Sequence, residues 1–139
     1  MNNGKKPFAL ITGTTSGVGL NTLKPLISSG WNIIAINRSN KKALLESSKK
    51  LKKFELEKIK FFEIDLSDLN QVREGINEII EKFGDSLKVV ICNAAVYKPR
   101  LRKPDRSFQG FENSMAVNHF SHFLLINLVK DKMMSSVSE

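Results

Sequence analysis

The stretch FALITGTTSGVG, residues 8 to 19, decides how the rest of this chain is read. Phe8-Ala9-Leu10-Ile11 is an unbroken apolar run, the pattern of a parallel strand covered on both faces. It passes through Thr12 directly into Gly13, Gly17 and Gly19, spaced G-x-x-x-G-x-G, and then into Leu23, Leu26 and Ile27 at helical intervals. A strand that hands over to a helix through such a bend aims unpaired backbone N–H groups and the positive helix end at one point. That point is an anion site. The glycines divide the work into a tight turn out of the strand, room for a pyrophosphate against the main chain, and close packing of helix on strand. Thr14, Thr15 and Ser16 place hydroxyl groups around the same spot.

Working outward, three more segments read as strands: Asn32 to Asn37, Ile59 to Leu66 and Leu87 to Asn93. Helical patterns separate them. One contains Leu44, Leu45, Leu51 and Phe54; the other, Leu69, Val72, Ile76, Ile79, Ile80 and Phe83, is amphipathic, with Ser67 placed as its N-cap and Gly84 closing it. Strand alternating with helix predicts an α/β fold, a Rossmann-type doubly wound parallel sheet with its ligand crevice at the carboxyl ends of the strands. Pro25 lies inside the first helix and predicts a kink there. After the fourth strand, residues 96 to 110 read as a loop, and an apolar-rich helix is expected from Phe111 to about Met134.

The 139 residues suit one domain, 1–139, and no apolar run approaches the ~18 residues of a membrane-spanning helix. Met1-Asn2-Asn3-Gly4-Lys5-Lys6 leaves no room for a targeting peptide before the first apolar run, which implies the cytoplasm. Cys92 is the one cysteine, inside Val89-Val90-Ile91-Cys92, and is expected to be a buried small hydrophobe. Bases exceed acids by 22 to 14, concentrated at residues 38 to 60 and 98 to 106. No stacking aromatics are interleaved with the first cluster, so a solvated face is preferred to a nucleic-acid surface. His119 and His122 lie three apart, yet no carboxylate or thiol joins them, so no metal is expected. Phe108, Phe111, Phe120 and Phe123 fit a packed core better than a ligand pocket.

At the end of the second strand comes Asn37-Arg38-Ser39, where NAD-binding units carry an acid that bonds the ribose 2′-hydroxyl. The acid is missing. A guanidinium pairs a 2′-phosphate through two parallel charge-assisted bonds, so Arg38 points to NADPH over NADH.

Thr12-Gly13-x-x-x-Gly17-x-Gly19, Asp65-Leu66, Asn93-Ala94-Ala95 and Asn118 resemble, in order and spacing, the short-chain dehydrogenase/reductase family, and span almost the whole chain. Cys92 to Tyr97, Gly110-Phe111-Glu112-x-Ser114 and Asn118 to Leu125, with Ser16 to Leu20 and Gly30-Trp31, are similar to its light-dependent protochlorophyllide reductase branch. One departure is Ser121, where that branch more often has glycine. The resemblance implies reduction of protochlorophyllide by NADPH in chlorophyll biosynthesis. It also implies that Gly13, Thr15, Ser16, Gly17, Val18 and Gly19 bind the cofactor phosphates and Arg38 the 2′-phosphate. Asp65 and Leu66 would frame the adenine, and Asn93, Ala94 and Ala95 would line the ribose and nicotinamide path. Asn118 matches the asparagine that supports the family's proton relay, and Tyr97 would lie beside the pigment. Contact with photosynthetic membranes stays open on this resemblance, as does oligomeric state.

The family's acid is a tyrosine followed four residues later by lysine, and Tyr97, the only tyrosine, is followed by Leu101. The expectation is the cofactor-binding N-terminal part of a longer enzyme, inactive alone, with its fourth strand a bare apolar edge that favours aggregation. Two alternatives stand beside it: a short-chain reductase of another substrate, and a non-catalytic NADP-binding module.

Overall fold

The computed structural model describes residues 6–98 and 103–135, so Leu101 lies outside the described residues. Four parallel strands, β1 (Phe8–Thr12), β2 (Asn32–Asn37), β3 (Ile59–Glu63) and β4 (Leu87–Ile91), form one sheet in the order β3-β2-β1-β4. This is the predicted doubly wound sheet. The chain runs from β1 outward to β3 and then returns to place β4 on the other side of β1, so the crevice opens between the carboxyl ends of β1 and β4.

Strand alternation divides the core into two layers. Leu10, Ile34 and Ile36 face one side, where they meet Val72, Ile76 and Ile79 of α4 (Leu69–Phe83) and Leu125 and Val129 of a C-terminal helix. Ile11, Ile33 and Ala35 face the other, against Leu20, Leu23 and Ile27 of α1 (Gly17–Ser28). Each large side chain so buried contributes roughly 1.5–3 kcal/mol. α1 continues as one helix through Pro25, which is exposed.

Several expected boundaries shift. The third strand ends at Glu63, with a last bond from the Ile64 N–H to the Asn37 carbonyl; Ile64 and Leu66 are buried beyond it, so the apolar pattern there reports packing. α4 is capped by Asp68, which accepts from the Asn70 N–H, while Ser67 turns its hydroxyl to Asp65 instead. Gly84 ends α4 with φ −51°, and a 3₁₀ turn (Gly84–Ser86) follows. Helix α2 (Asn40–Ser48) exposes Leu44 and Leu45, and α3 (Lys53–Leu56) exposes Phe54; Ala43, Ser47, Leu51 and Glu55 are the buried residues of this segment. The C-terminal helix is three pieces: α5 (Asn113–Met115), a π-turn (Ala116–Phe120) and α6 (Ser121–Ser135).

Cys92 is exposed, contrary to expectation. It lies one residue past β4, and β4 is paired on one side only, with β1. Partial burial nevertheless pushes its thiol pKa up. Val89, Val90 and Ile91 are half-buried, which fits the expected edge. Phe108, Phe111 and Phe123 are exposed rather than core. No helix among the described residues is long and apolar enough to cross a membrane.

Candidate functional site

The bend after β1 is built by its glycines. Gly13 has φ +76° and Gly17 φ +54°, a region that side chains disfavour. Gly19 is required for a different reason: a Cβ there would stand 1.9 Å from the Gly13 carbonyl oxygen and 2.5 Å from Asn93 Nδ2. A Cβ on Gly17 would meet nothing within 4 Å. Close packing therefore falls to Gly19, with Gly13 against Ala94, and open space to Gly17. Ser16, the N-cap of α1, makes no side-chain cap bond, whereas α2 and α4 are capped by Ser39 and Asp68. The first amides of α1 have no partner within their own helix.

Polar side chains hold this bend from three sides. Asn37, buried at the end of β2, accepts from the Thr14 N–H at 2.7 Å and donates to the Thr14 hydroxyl at 2.8 Å. Asn93 Nδ2 donates to the Thr12 and Gly13 carbonyls at 3.1 and 2.9 Å. The Thr12 hydroxyl accepts from the Asn93 and Ala94 N–H groups at 3.1 and 3.0 Å. Further on, Asn118 in the π-turn clamps Val96, accepting from its N–H at 2.8 Å and donating to its carbonyl at 2.9 Å.

Between these walls lies a cleft of about 230 Å³. Of the sequence-predicted residues, Gly13, Thr15, Arg38, Asp65, Leu66, Ala94 and Ala95 line it. Ser16, Gly17 and Val18 are exposed at the start of α1, and Gly19 is buried behind them. Asn93 and Asn118 shape the walls through the bonds above. Tyr97 is 85% exposed and does not line the cleft. One Asp65 carboxylate oxygen takes the Ser67 N–H and hydroxyl, leaving the other oxygen outside that turn.

Sequence reasoning missed two contributors. Lys42 lines the cleft with Arg38 and Ser39, against the solvated face expected for residues 38 to 60; its signal is a base in the first turn of α2, directly after Arg38. Asn37 was read only as the missing acid, yet its amide fixes Thr14. His122 is also buried, with Nε2 2.8 Å from the Thr12 hydroxyl and Nδ1 3.2 Å from the Asn118 carbonyl; burial lowers its pKa. His119 is exposed beside the rings of Phe120 and Phe123. Ser121 is accommodated by donating its hydroxyl to the Val117 carbonyl.

A glycine bend at the switch point of a parallel sheet, sharing its cleft with Arg38 just past the neighbouring strand and Lys42 in the helix that follows, defines a dinucleotide-binding class of fold. The sequence pattern of the short chain dehydrogenase family matches residues 7–138, and the chain belongs to that family. It is 37% identical over 130 residues to the chloroplastic protochlorophyllide reductase of Chlamydomonas reinhardtii, covering 93% of this chain and 32% of that one. The corresponding protein of Cucumis sativus is 36% identical over 133 residues, covering 95% and 33%. The chain thus spans about a third of the length of these relatives. Among solved structures, ElxO with NADP bound superposes with a TM-score of 0.75 at 25% identity, covering 96% of this chain and 52% of that one.

Proposed function

We propose that this chain is the NADP(H)-binding N-terminal part of a reductase of the short-chain family, acting in the intact enzyme on protochlorophyllide. One observation carries the cofactor reading: Arg38, Ser39 and Lys42 share one cleft with the glycine bend, and the side chain at the end of β2 is an amide engaged with Thr14 rather than a free acid. Two cations there suit a 2′-phosphate, and a carboxylate that would repel it is missing from that position. The uncapped start of α1 and the open space beside Gly17 suit a pyrophosphate. The residues present therefore fit the dinucleotide, which supplies hydride when bound.

The chain's own residues divide three tasks. Arg38 and Lys42 select the phosphorylated cofactor, the Gly13–Gly19 bend holds its diphosphate, and Ala94, Ala95 and Val96 form the wall that the Asn118 amide holds in place. Sequence similarity to named protochlorophyllide reductases over more than nine-tenths of this chain supports the substrate reading. Tyr97 and the exposed rings of Phe108 and Phe111 lie on the loop after β4 and are the proposed pigment side. A Tyr-x-x-x-Lys pair is absent from this sequence, so proton delivery is assigned to residues outside it and the chain alone is expected to show no turnover.

Titration with NADPH and NADH, read by reduced-nicotinamide fluorescence, tests the cofactor claim. NADPH is expected to bind at least about tenfold more tightly. Equal affinities would remove Arg38 and Lys42 from their role. Illumination of the intact enzyme with protochlorophyllide and NADPH tests the substrate claim, and dark reduction of simple ketones with no light-driven step would overturn it.

A further inference from the structure

The Thr12 hydroxyl, at the end of β1, bonds both the loop after β4 and the C-terminal helix, and each of its hydrogen-bonding positions can be assigned. A hydroxyl has one proton and two acceptor positions. Both acceptor positions are taken, by the Asn93 and Ala94 N–H groups at 3.1 and 3.0 Å. The proton must then go to its remaining neighbour, His122 Nε2, 2.8 Å away. Nε2 is therefore an acceptor and carries no hydrogen. The other ring nitrogen, Nδ1, lies 3.2 Å from the Asn118 carbonyl, which can only accept, so Nδ1 carries the ring proton. Bond direction thus runs from the Asn93 and Ala94 amides to Thr12, from Thr12 to His122, and from His122 to the carbonyl of the π-turn.

We infer that His122 is a positioning residue: as its neutral Nδ1–H tautomer it locks the Thr12 hydroxyl in the orientation that shapes the Ala94–Val96 wall of the cleft. The π-turn is what makes this possible. Asn118 sits inside it, and its side chain grips Val96 while its carbonyl receives the His122 ring. One helical turn therefore holds the wall at both ends, at Val96 directly and at Asn93 and Ala94 through His122 and Thr12. The groups hydrogen-bonded to the ring are neutral: the Thr12 hydroxyl from β1 and the Asn118 carbonyl from the π-turn, with the Asn93 and Ala94 amides behind Thr12. A proton added at Nε2 would oppose the Thr12 proton and force the hydroxyl to give up one of its amides. Burial acts in the same direction, lowering the pKa of His122. His122 touches no cofactor position itself, so its effect on the dinucleotide rests on the functional reading given above, whereas the tautomer does not.

Two measurements on the 139-residue chain test this. Long-range proton–nitrogen correlation on histidine-labelled protein is expected to show Nδ1 protonated and Nε2 bare at neutral pH; a proton on Nε2 would overturn the assignment. Hydrogen exchange at Ala94, whose N–H donates to the Thr12 hydroxyl, with NADPH titration beside it, is then compared in His122→Gln, His122→Leu and wild type. Gln carries an acceptor oxygen at the Nε2 position and should preserve amide protection and NADPH affinity. Leu fills the space without an acceptor and should lose about tenfold in both. Equal behaviour of Gln and Leu would reject the positioning role. If wild type binds no NADPH, the functional reading falls alone, and the tautomer and amide exchange still decide this one. If His122→Leu does not fold, Thr12→Val and Thr12→Ser replace it, with Ser expected to keep the protection that Val loses.

Discussion

Replacing Gly19 by Ala is the most demanding test of the bend. The new methyl carbon would lie 1.9 Å from the Gly13 carbonyl oxygen, so reaching even 3.0 Å needs a retreat of 1.1 Å (3.0 minus 1.9) by backbone, not by a pliable side chain. The same methyl would sit 2.5 Å from Asn93 Nδ2, which donates to the Thr12 and Gly13 carbonyls. Overpacking of this kind costs about 1–3 kcal/mol. Losing the two Asn93 bonds adds about 1 kcal/mol each. Alanine's better helix propensity returns roughly 1 kcal/mol. The net loss is about 2–4 kcal/mol, a large share of the ~5–15 kcal/mol that holds a domain together. Gly17→Ala is the control, because its methyl enters open space and only the φ of +54° is penalised, at about 1–2 kcal/mol. Urea unfolding of the three proteins, followed by circular dichroism, gives the comparison. Gly19→Ala should be the least stable and should lose NADPH binding. Equal stability of Gly19→Ala and wild type would refute the packing argument, and a Gly17→Ala less stable than Gly19→Ala would reverse the division of labour among the glycines.

Arg38→Ala and Lys42→Ala should each weaken NADPH by about tenfold while leaving NADH unchanged, read by parallel fluorescence titrations. Asn118→Ala removes both bonds to Val96 and should lower stability by about 2 kcal/mol in urea unfolding, with faster hydrogen exchange at the Val96 amide. For pH, burial lowers the pKa of His122 below the ordinary 6.5, so between its folded pKa and 6.5 the unfolded chain binds more protons than the folded one. Stability should therefore fall as pH drops below 6.5, and urea midpoints of His122→Gln should lack that step. Gln109 donating to Asp68, and Lys98 paired with Asp105, hold both carboxyls below their usual 3.8, so a separate loss should follow as pH falls through that lower range.

What the sequence made legible follows from how local each signal is. The bounds of β1 and β2 match expectation because an apolar run meets a glycine bend or a polar cluster within one residue. Arg38, Asp65, Leu66, Ala94 and Ala95 line the cleft because each lies within a few residues of a strand's carboxyl end, where a doubly wound sheet opens its crevice. The misses are of another kind. Ser67 and Asp68 are both competent caps, and the choice between them was made by Asp65, which captures the Ser67 hydroxyl and leaves Asp68 to the helix. Cys92 reads as core on composition alone, since being past the last rung of an edge strand is a property of the sheet, not of Val89-Val90-Ile91-Cys92.

The π-turn leaves the weakest trace in the sequence and organises the most. Its only effect on the pattern is a one-residue phase slip between Ala116 and Phe120, which apolar spacing absorbs. That slip is nevertheless tied to the separation of His119, exposed among phenylalanine rings, from His122, buried against Thr12, although their spacing in sequence suggested one shared face. The histidine pair and the hydroxyl of the T-G-x-x-x-G-x-G stretch are 110 positions apart at the contact, and neither motif mentions the other. A strand terminus, a loop and a helix can be read singly from residue patterns, but the saturated hydroxyl that joins them exists only once the sheet order brings β4 beside β1. Thr12→Val would remove that hydroxyl while leaving the strand, the loop and the helix each in place. Such a variant should keep the far-ultraviolet spectrum of the helices while the Ala94 amide exchanges more freely; protection retained there would show that the hydroxyl is incidental to the cleft wall.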